Sequence, residues 1–219
     1  MSPRGGFLWV VAAPSGTGKT TVCRELVRRD PRLAFSVSHT TRARRPNEQD
    51  GRDYHFVSEA EFRRMIAAGE FLEWAVYNEH HYGTSFAAID APLSAGRDVV
   101  LEIEVQGARQ VRARRPDARF VFLLPPSWST LEVRLRGRGT DSPEEIARRL
   151  VVARAELESV LEFDYAVVND DLEACVRELQ EVLAAERRGD TAALRARLAP
   201  GPARARIAGA PFAAAGGNG

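Results

Sequence analysis

The sequence predicts an α/β fold in which a parallel sheet is flanked by helices. Three observations carry that expectation. Apolar runs of strand length recur along the chain, beginning at residues 7–12, and such runs mark strands covered on both faces. Helical patterns with readable start signals separate them. A glycine-rich loop at residues 13–20 joins the first run directly to the first helical pattern, so that a helix N-terminus opens onto the loop.

In chain order, the remaining strand-length runs lie at 34–37, 71–77, 99–105, 120–124 and 165–168. Ser58 and Glu61 form a capping box ahead of Phe62, Met65 and Ile66, with Gly69 as the stop. A second box, Ser142 with Glu145, has Pro143 at the first helical position and leads into Ile146, Leu150 and Leu157. Asp170 and Asp171 precede Leu172, Val176, Leu179 and Leu183, and Gly189 closes that helix. The stretch from about 35 to 95 is less regular and reads as an inserted subdomain. Residues 191–219 are rich in alanine, glycine, proline and arginine. They are expected to be disordered, because few large apolar groups offset the entropy of ordering.

A chain of 219 residues suits one globular domain with a sizeable core. Its 31 basic and 30 acidic residues leave a formal charge of +1, which argues against a dedicated nucleic-acid or membrane binder. After Asp190 the only charges are Arg195, Arg197, Arg204 and Arg206, read as a solvated appendage. Cys23 and Cys175 form neither a metal-ligand pair nor a disulfide framework, as expected for a reducing cytoplasm. The apolar N-terminal run is too short to span a membrane, and a glycine-lysine loop stands where a signal peptide would carry its cleavage site.

The loop itself reads Ala13, Pro14, Ser15, Gly16, Thr17, Gly18, Lys19, Thr20, followed by the helical Thr21. This is the phosphate-binding pattern, with Ala13 in place of its first glycine. Gly16 and Gly18 let successive backbone N–H groups converge on one anion, and the following helix adds its positive end. Lys19 is a compact cation for the outer phosphates, and the Thr20 hydroxyl is an oxygen ligand for Mg²⁺. Of all the basic residues, Lys19 is the sole lysine. A cramped phosphate site needs a point charge rather than a planar fork, so the pattern indicates nucleoside triphosphate binding. A guanine-nucleotide switch is excluded, since its Asn-Lys-x-Asp motif would require a second lysine.

Residues 37–42 (Val-Ser-His-Thr-Thr-Arg), 81–84 (His-Tyr-Gly-Thr), 134–139 (Arg-Leu-Arg-Gly-Arg-Gly) and 168–171 (Val-Asn-Asp-Asp) stand in order around this loop. With them the chain closely resembles the guanylate kinase family over about residues 7–188. The resemblance implies a P-loop nucleoside monophosphate kinase domain at 5–190, with a GMP-binding subdomain near 38–95 and a helical lid near 134–155. The implied reaction transfers the γ-phosphoryl of ATP to GMP, with dGMP as a second acceptor, using Mg²⁺. The implied partners are these small molecules, with no nucleic acid and no membrane, in purine nucleotide metabolism. Guanine offers N–H donors on one edge and acceptors on the other. By resemblance, Glu73 takes the donor edge, Ser38 and Thr84 contact the base, and Arg42, Arg45, Tyr54 and Tyr82 hold the GMP phosphate. Arg134, Arg138 and Arg149 would close on the transferring phosphoryl group, with Arg42 and Lys19 completing the cationic set. Spacing alone does not separate Arg149 from Arg148. Asn169 would lie on the adenine side. Glu102 and Glu104 replace the Asp-x-Asp the family often carries, and Glu104 is assigned to guanine rather than to the metal. No general base is expected, because the accepting phosphate is already largely ionised above its second pKa of about 6. The competing readings are a protein-interaction module of the same fold, which would have degraded the loop, and a kinase for another nucleoside monophosphate.

Overall fold

The computed structural model describes residues 5–77, 79–137, 143–205 and 207. Its elements in chain order begin β1 (Leu8–Ala12), α1 (Lys19–Arg29), β2 (Leu33–Phe35), β3 (His39–Thr40), β4 (His55–Phe56), α2 (Glu59–Ala67), β5 (Phe71–Tyr77) and β6 (His80–Ser85). They continue with α3 (Phe86–Ser94), β7 (Asp98–Glu102), α4 (Val105–Arg114), β8 (Arg119–Leu124), α5 (Trp128–Arg136) and α6 (Pro143–Glu158). A 3₁₀ turn (Ser159–Glu162) leads to β9 (Tyr165–Val168), α7 (Leu172–Arg188), α8 (Ala192–Arg197) and α9 (Pro200–Ala205). The main sheet has the order β2-β7-β1-β8-β9, and a second sheet has the order β4-β3-β6-β5. The chain divides into two compact units, Met1–Val10 with Asp30–Arg119 and Val11–Arg29 with Phe120–Gly219.

In the first unit β2 and β7 pair in parallel, and Trp9, Val99, Val100 and Leu101 are buried. The one acid among them, Asp98, has its carboxylate satisfied by the Phe7 N–H at 2.8 Å and the Trp9 indole N–H at 3.3 Å. Ser58 caps α2 as expected, accepting from the Glu61 N–H at 3.1 Å, and Gly69 follows the helix with φ +67°. The run at 71–77 differs from its expectation. It is an antiparallel partner of β6 in the second sheet, not another strand of the parallel one. Its first half is buried and its last residues are exposed. An apolar run reports burial and does not report which sheet supplies it.

In the second unit β8 and β9 pair in parallel. Helix α1 buries Val22, Cys23 and Leu26 and packs on α7, which buries Val176, Leu179 and Leu183. Burial pushes the Cys175 thiol up to about 12, which leaves it unreactive at neutral pH. Asp171 caps α7 by accepting from the Ala174 N–H at 2.8 Å, and Gly189 ends it in the left-handed region. Leu131, Leu135 and Ala153 knit α5 to α6. Ser142 of the expected second capping box lies outside the described residues.

Disorder was expected from residue 191, but α8 (Ala192–Arg197) and α9 (Pro200–Ala205) form there, and Leu198, Ala203 and Ile207 in and beside them are buried. The reason lies in β9, the last strand of its sheet. A sheet edge presents unpaired backbone groups, and here the Ala166 N–H donates to the Leu198 carbonyl at 2.9 Å. Arg206 lies outside the described residues, and the other three tail arginines are not a solvated remainder. Arg195 donates to Glu186 and Arg204 to Glu158, both at 2.6 Å, and Arg197 pairs with Glu181. A few well-placed apolar groups and carboxylate partners outweigh the low hydrophobic content of the segment. Glu186 is 5% exposed and also accepts the hydroxyl of the fully buried Tyr165 at 2.6 Å. Glu186→Ala strands both donors and is expected to lower unfolding free energy by about 1–3 kcal/mol, read as a lower urea midpoint.

Candidate active site

The second unit holds the phosphate loop. Gly16 and Gly18 have φ of +90° and +91°, a left-handed backbone that side chains resist. The glycines are also required by space. A Cβ at Gly16 would lie 3.0 Å from the side chain of Leu135, and one at Gly18 would lie 2.8 Å from Nδ2 of Asn169. The loop therefore rests on α5 at one glycine and on Asn169 at the other. Lys19 and Thr20 form the first turn of α1, half-buried and exposed respectively, followed by the exposed Thr21.

Asn169, which follows β9, is 7% exposed, and its side-chain amide donates to the Thr17 carbonyl at 2.7 Å. In a planar peptide the C=O and the next N–H point in opposite directions. Holding the Thr17 carbonyl on Asn169 thus turns the Gly18 N–H to the other side. The main-chain carbonyl of Asn169 accepts from Arg134 Nη1 at 3.1 Å. One residue therefore ties an arginine of α5 to the loop. Arg149 is half-buried on α6, whereas Arg148 is exposed, so the two differ in environment although spacing did not separate them. Arg138 lies outside the described residues.

The first unit holds the other expected residues, and the second sheet decides which side chains share a face. Directly paired residues in antiparallel strands project to the same side. Glu73 pairs with Thr84, and Thr40 pairs with Tyr82. Two-residue alternation adds Ser38 to that face. Thr40 also pairs with Phe56 in the parallel partner β4, and Tyr54 stands two residues before Phe56. Ser38, Tyr54, Glu73, Tyr82 and Thr84 are therefore assembled on one face. On the opposite face, Phe71 stacks on Phe62 of α2 at 4.4 Å between ring centroids, and His81 packs between Phe62 and Trp74. One face builds core and the other is left for polar groups. Gly83 belongs to the packed face, where a Cβ would sit 2.9 Å from that of Trp74.

On the polar face the Ser38 and Thr84 hydroxyls are hydrogen-bonded to each other at 2.9 Å. The Glu73 carboxylate-bearing residue is only 4% exposed. Tyr54 meets Tyr82 edge-on at 5.9 Å, and Arg42 lies over the Tyr54 ring at 5.6 Å. Burial, and then the charge of Glu102, raise the Tyr54 phenol above its ordinary value, so it remains a hydrogen-bond donor. Glu102 is half-buried, while Glu104 stands exposed at the N-cap of α4.

A residue the sequence reading missed organises the arginines. Glu48 receives both terminal nitrogens of Arg42, at 2.7 and 3.1 Å, and its carboxylate also accepts the Arg45 N–H at 2.8 Å. The Arg42 pairing holds the Glu48 carboxyl below its ordinary range, and Glu48 in turn raises the Arg42 guanidinium. The Arg42 fork is thus oriented in advance, with Arg45 exposed beside it. No periodicity links positions 42, 45 and 48 in a loop, so no sequence signal points to Glu48.

The chain matches known proteins. The family model described as guanylate kinase covers residues 7–186. The chain belongs to the guanylate kinase family. A guanylate kinase from Dechloromonas aromatica is 55% identical over 180 residues, covering 82% of this chain and 89% of that relative. One from Thermosynechococcus vestitus is 52% identical over 182 residues, covering 83% and 95%. The crystal structure of guanylate kinase from Anaplasma phagocytophilum superposes with a TM-score of 0.68 at 30% identity, over 84% of this chain and 87% of that one. Membership in the guanylate kinase family confirms the expected fold class of a parallel sheet flanked by helices, and makes the chain an enzyme of the kinase class. Among the described residues, no helix is long and apolar enough to cross a membrane. Asn169→Ala removes the donor that fixes the Thr17 carbonyl. It is expected to cost about 1 kcal/mol and to speed amide hydrogen exchange at residues 16–18 while exchange in α7 stays unchanged.

Proposed function

We propose that this chain transfers the γ-phosphoryl group of ATP to GMP, giving ADP and GDP, through the residues assembled above. The observation that carries the base assignment is the polar face of the second sheet. A buried carboxylate is placed there with two hydroxyls, in a chain that also carries an intact phosphate loop. Guanine N1–H and N2–H need an acceptor, which Glu73 supplies, and its O6 and N7 need donors. Of the paired Ser38 and Thr84 hydroxyls one donates to the other, and the remaining proton can turn toward the base. Glu104 is assigned to the guanine amino group. Arg42, Arg45, Tyr54 and Tyr82 hold the GMP phosphate, with the Arg42 fork set by Glu48. None of these contacts involves the ribose 2′-hydroxyl, so dGMP is a second acceptor.

On the donor side, backbone N–H groups of the loop at Ser15, Gly16 and Gly18 and the amino end of α1 cradle the ATP phosphates, and Lys19 neutralises the outer pair. Thr21 follows in the same turn, and Asn169 completes the ATP set by holding the loop. Thr20 offers a single hydroxyl oxygen. Among the described residues no group of three His, Cys, Asp or Glu could hold a metal. One hard oxygen suits Mg²⁺, which keeps most of its waters and is carried largely by substrate phosphates. When bound, Mg²⁺ supplies positive charge to the phosphate oxygens. In the transfer, a GMP phosphate oxygen bonds to the γ-phosphorus as the bond to the β,γ-bridging oxygen breaks, and the electron pair leaves with ADP. Arg134, Arg138 and Arg149 stabilise the charge on the equatorial oxygens during that passage. The domain at 5–190 would then comprise a GMP-binding subdomain near 38–95 and a lid near 134–155. The reaction places the protein in purine nucleotide metabolism, in a cytoplasm consistent with two buried cysteines outside any disulfide.

A coupled assay of ADP release is expected to run at least about 100-fold faster with GMP than with AMP, UMP or dTMP. Equal rates would remove the guanine assignment. Lys19→Ala is expected to lose about 100-fold or more in turnover, as removal of a preorganised charge does, with the thermal transition unchanged. Wild-type turnover in that variant would refute the phosphate role of Lys19.

A further inference from the structure

Strand β5 is the last strand of the second sheet, and its free edge is gripped by side chains of α4. Gln110 accepts from the Trp74 N–H through Oε1 at 3.2 Å and donates through Nε2 to the Trp74 carbonyl at 2.7 Å. Its amide thereby reproduces the pair of bonds that a neighbouring strand would make. Arg114 Nη1 donates to the carbonyls of Phe71 and Leu72 at 2.6 and 2.7 Å. The backbone is thus held on both sides of Glu73. Gln110 and Arg114 share one face of α4 with Gly107, at helical spacings of three and seven.

Gly107 lies inside α4 and is not among the glycines with positive φ. Its backbone would accept any L residue, and alanine would favour the helix. Space supplies the reason for glycine. A Cβ at this position would fall 2.7 Å from Glu73 Oε2, 3.4 Å from Glu73 Cδ and 3.3 Å from Ile103 Cδ1. The atom in the way is the end of a flexible side chain. A methyl group at 107 would therefore be relieved by moving the Glu73 carboxylate, with little disturbance of the fold.

We infer that α4 is the positioning element for the guanine-reading carboxylate, and that Gly107 is a specificity-determining residue acting through Glu73. This rests on the proposal that Glu73 reads guanine. The helix accepts a glycine in its interior, and the carboxylate gains a fixed seat against the bare backbone. A displacement of the carboxylate by a few tenths of an ångström to one ångström weakens two directional hydrogen bonds to the base. The residues assigned to ATP belong to other elements.

The test is a double-mutant cycle of Gly107→Ala and Glu73→Ala, with KM for GMP, KM for ATP and thermal unfolding measured on all four proteins. Gly107→Ala is expected to melt at the same temperature as the parent or higher. Its KM for GMP should rise about 10-fold while that for ATP stays within about twofold, the scale on which small misplacements act. In the Glu73→Ala background the same substitution is expected to change KM for GMP by less than about twofold, because the group it displaces is gone. An equal factor in both backgrounds, an unchanged KM for GMP in the single variant, or a lowered melting temperature would overturn the inference. If Glu73→Ala itself leaves GMP use intact, the guanine reading fails first, and that outcome is separate from the other three.

Discussion

The phosphate loop depends on a hydrogen bond made by a residue far from it in sequence. The N–H groups of a loop have no reason to converge on an anion unless the intervening carbonyls are turned away and held. The Asn169 amide holds the carbonyl of Thr17, and positive φ at Gly16 and Gly18 permits the turn. The same asparagine accepts Arg134 on its own carbonyl. A cationic side chain and an anion cradle therefore share one buried anchor. Such an anchor sets the geometry before any ligand binds, so little reorganisation is needed when charge arrives.

The first unit solves a different problem with an equally local rule. Two-residue alternation, interrupted by a bulge between Phe71 and Glu73, puts Phe71, Trp74, His39, His55 and His81 on one face and the hydroxyls, Tyr54, Tyr82 and a carboxylate on the other. The packed face leans on Phe62 and Met65 of α2, which keeps the small sheet rigid. The polar face gathers buried groups that are costly to leave without partners, and the Ser38–Thr84 hydroxyl pair is one way they are met. Burial also reaches the packed face at His39, where it and neighbouring His55 lower the imidazole's basicity. Those histidines serve as packing rings.

Much of this was legible in the sequence. The strand runs, three of the capping residues and the phosphate loop all follow from local chemistry, and the structure bears out Ser58, Asp171 and Gly189 at helix ends. Less legible was anything that depends on which elements become neighbours. The run at 71–77 shows its burial but not its antiparallel partner. Residues 191–205 look too poor in large apolar groups to order until β9 supplies an open edge and Glu158, Glu181 and Glu186 supply counter-charges. Glu48 and Gly107 carry no motif, since each matters only through the side chain it meets in space. Arg148 and Arg149 were equivalent by charge, and they differ in exposure on α6.

The solitary lysine has a consequence for chemistry on the protein. Its side chain is the chain's one primary amine outside the backbone terminus, half-buried at the start of α1. Acylating reagents ignore guanidinium groups at neutral pH, so among side chains they have one nitrogen to label. Protection of that nitrogen would report directly on whether the loop is filled, without an engineered probe.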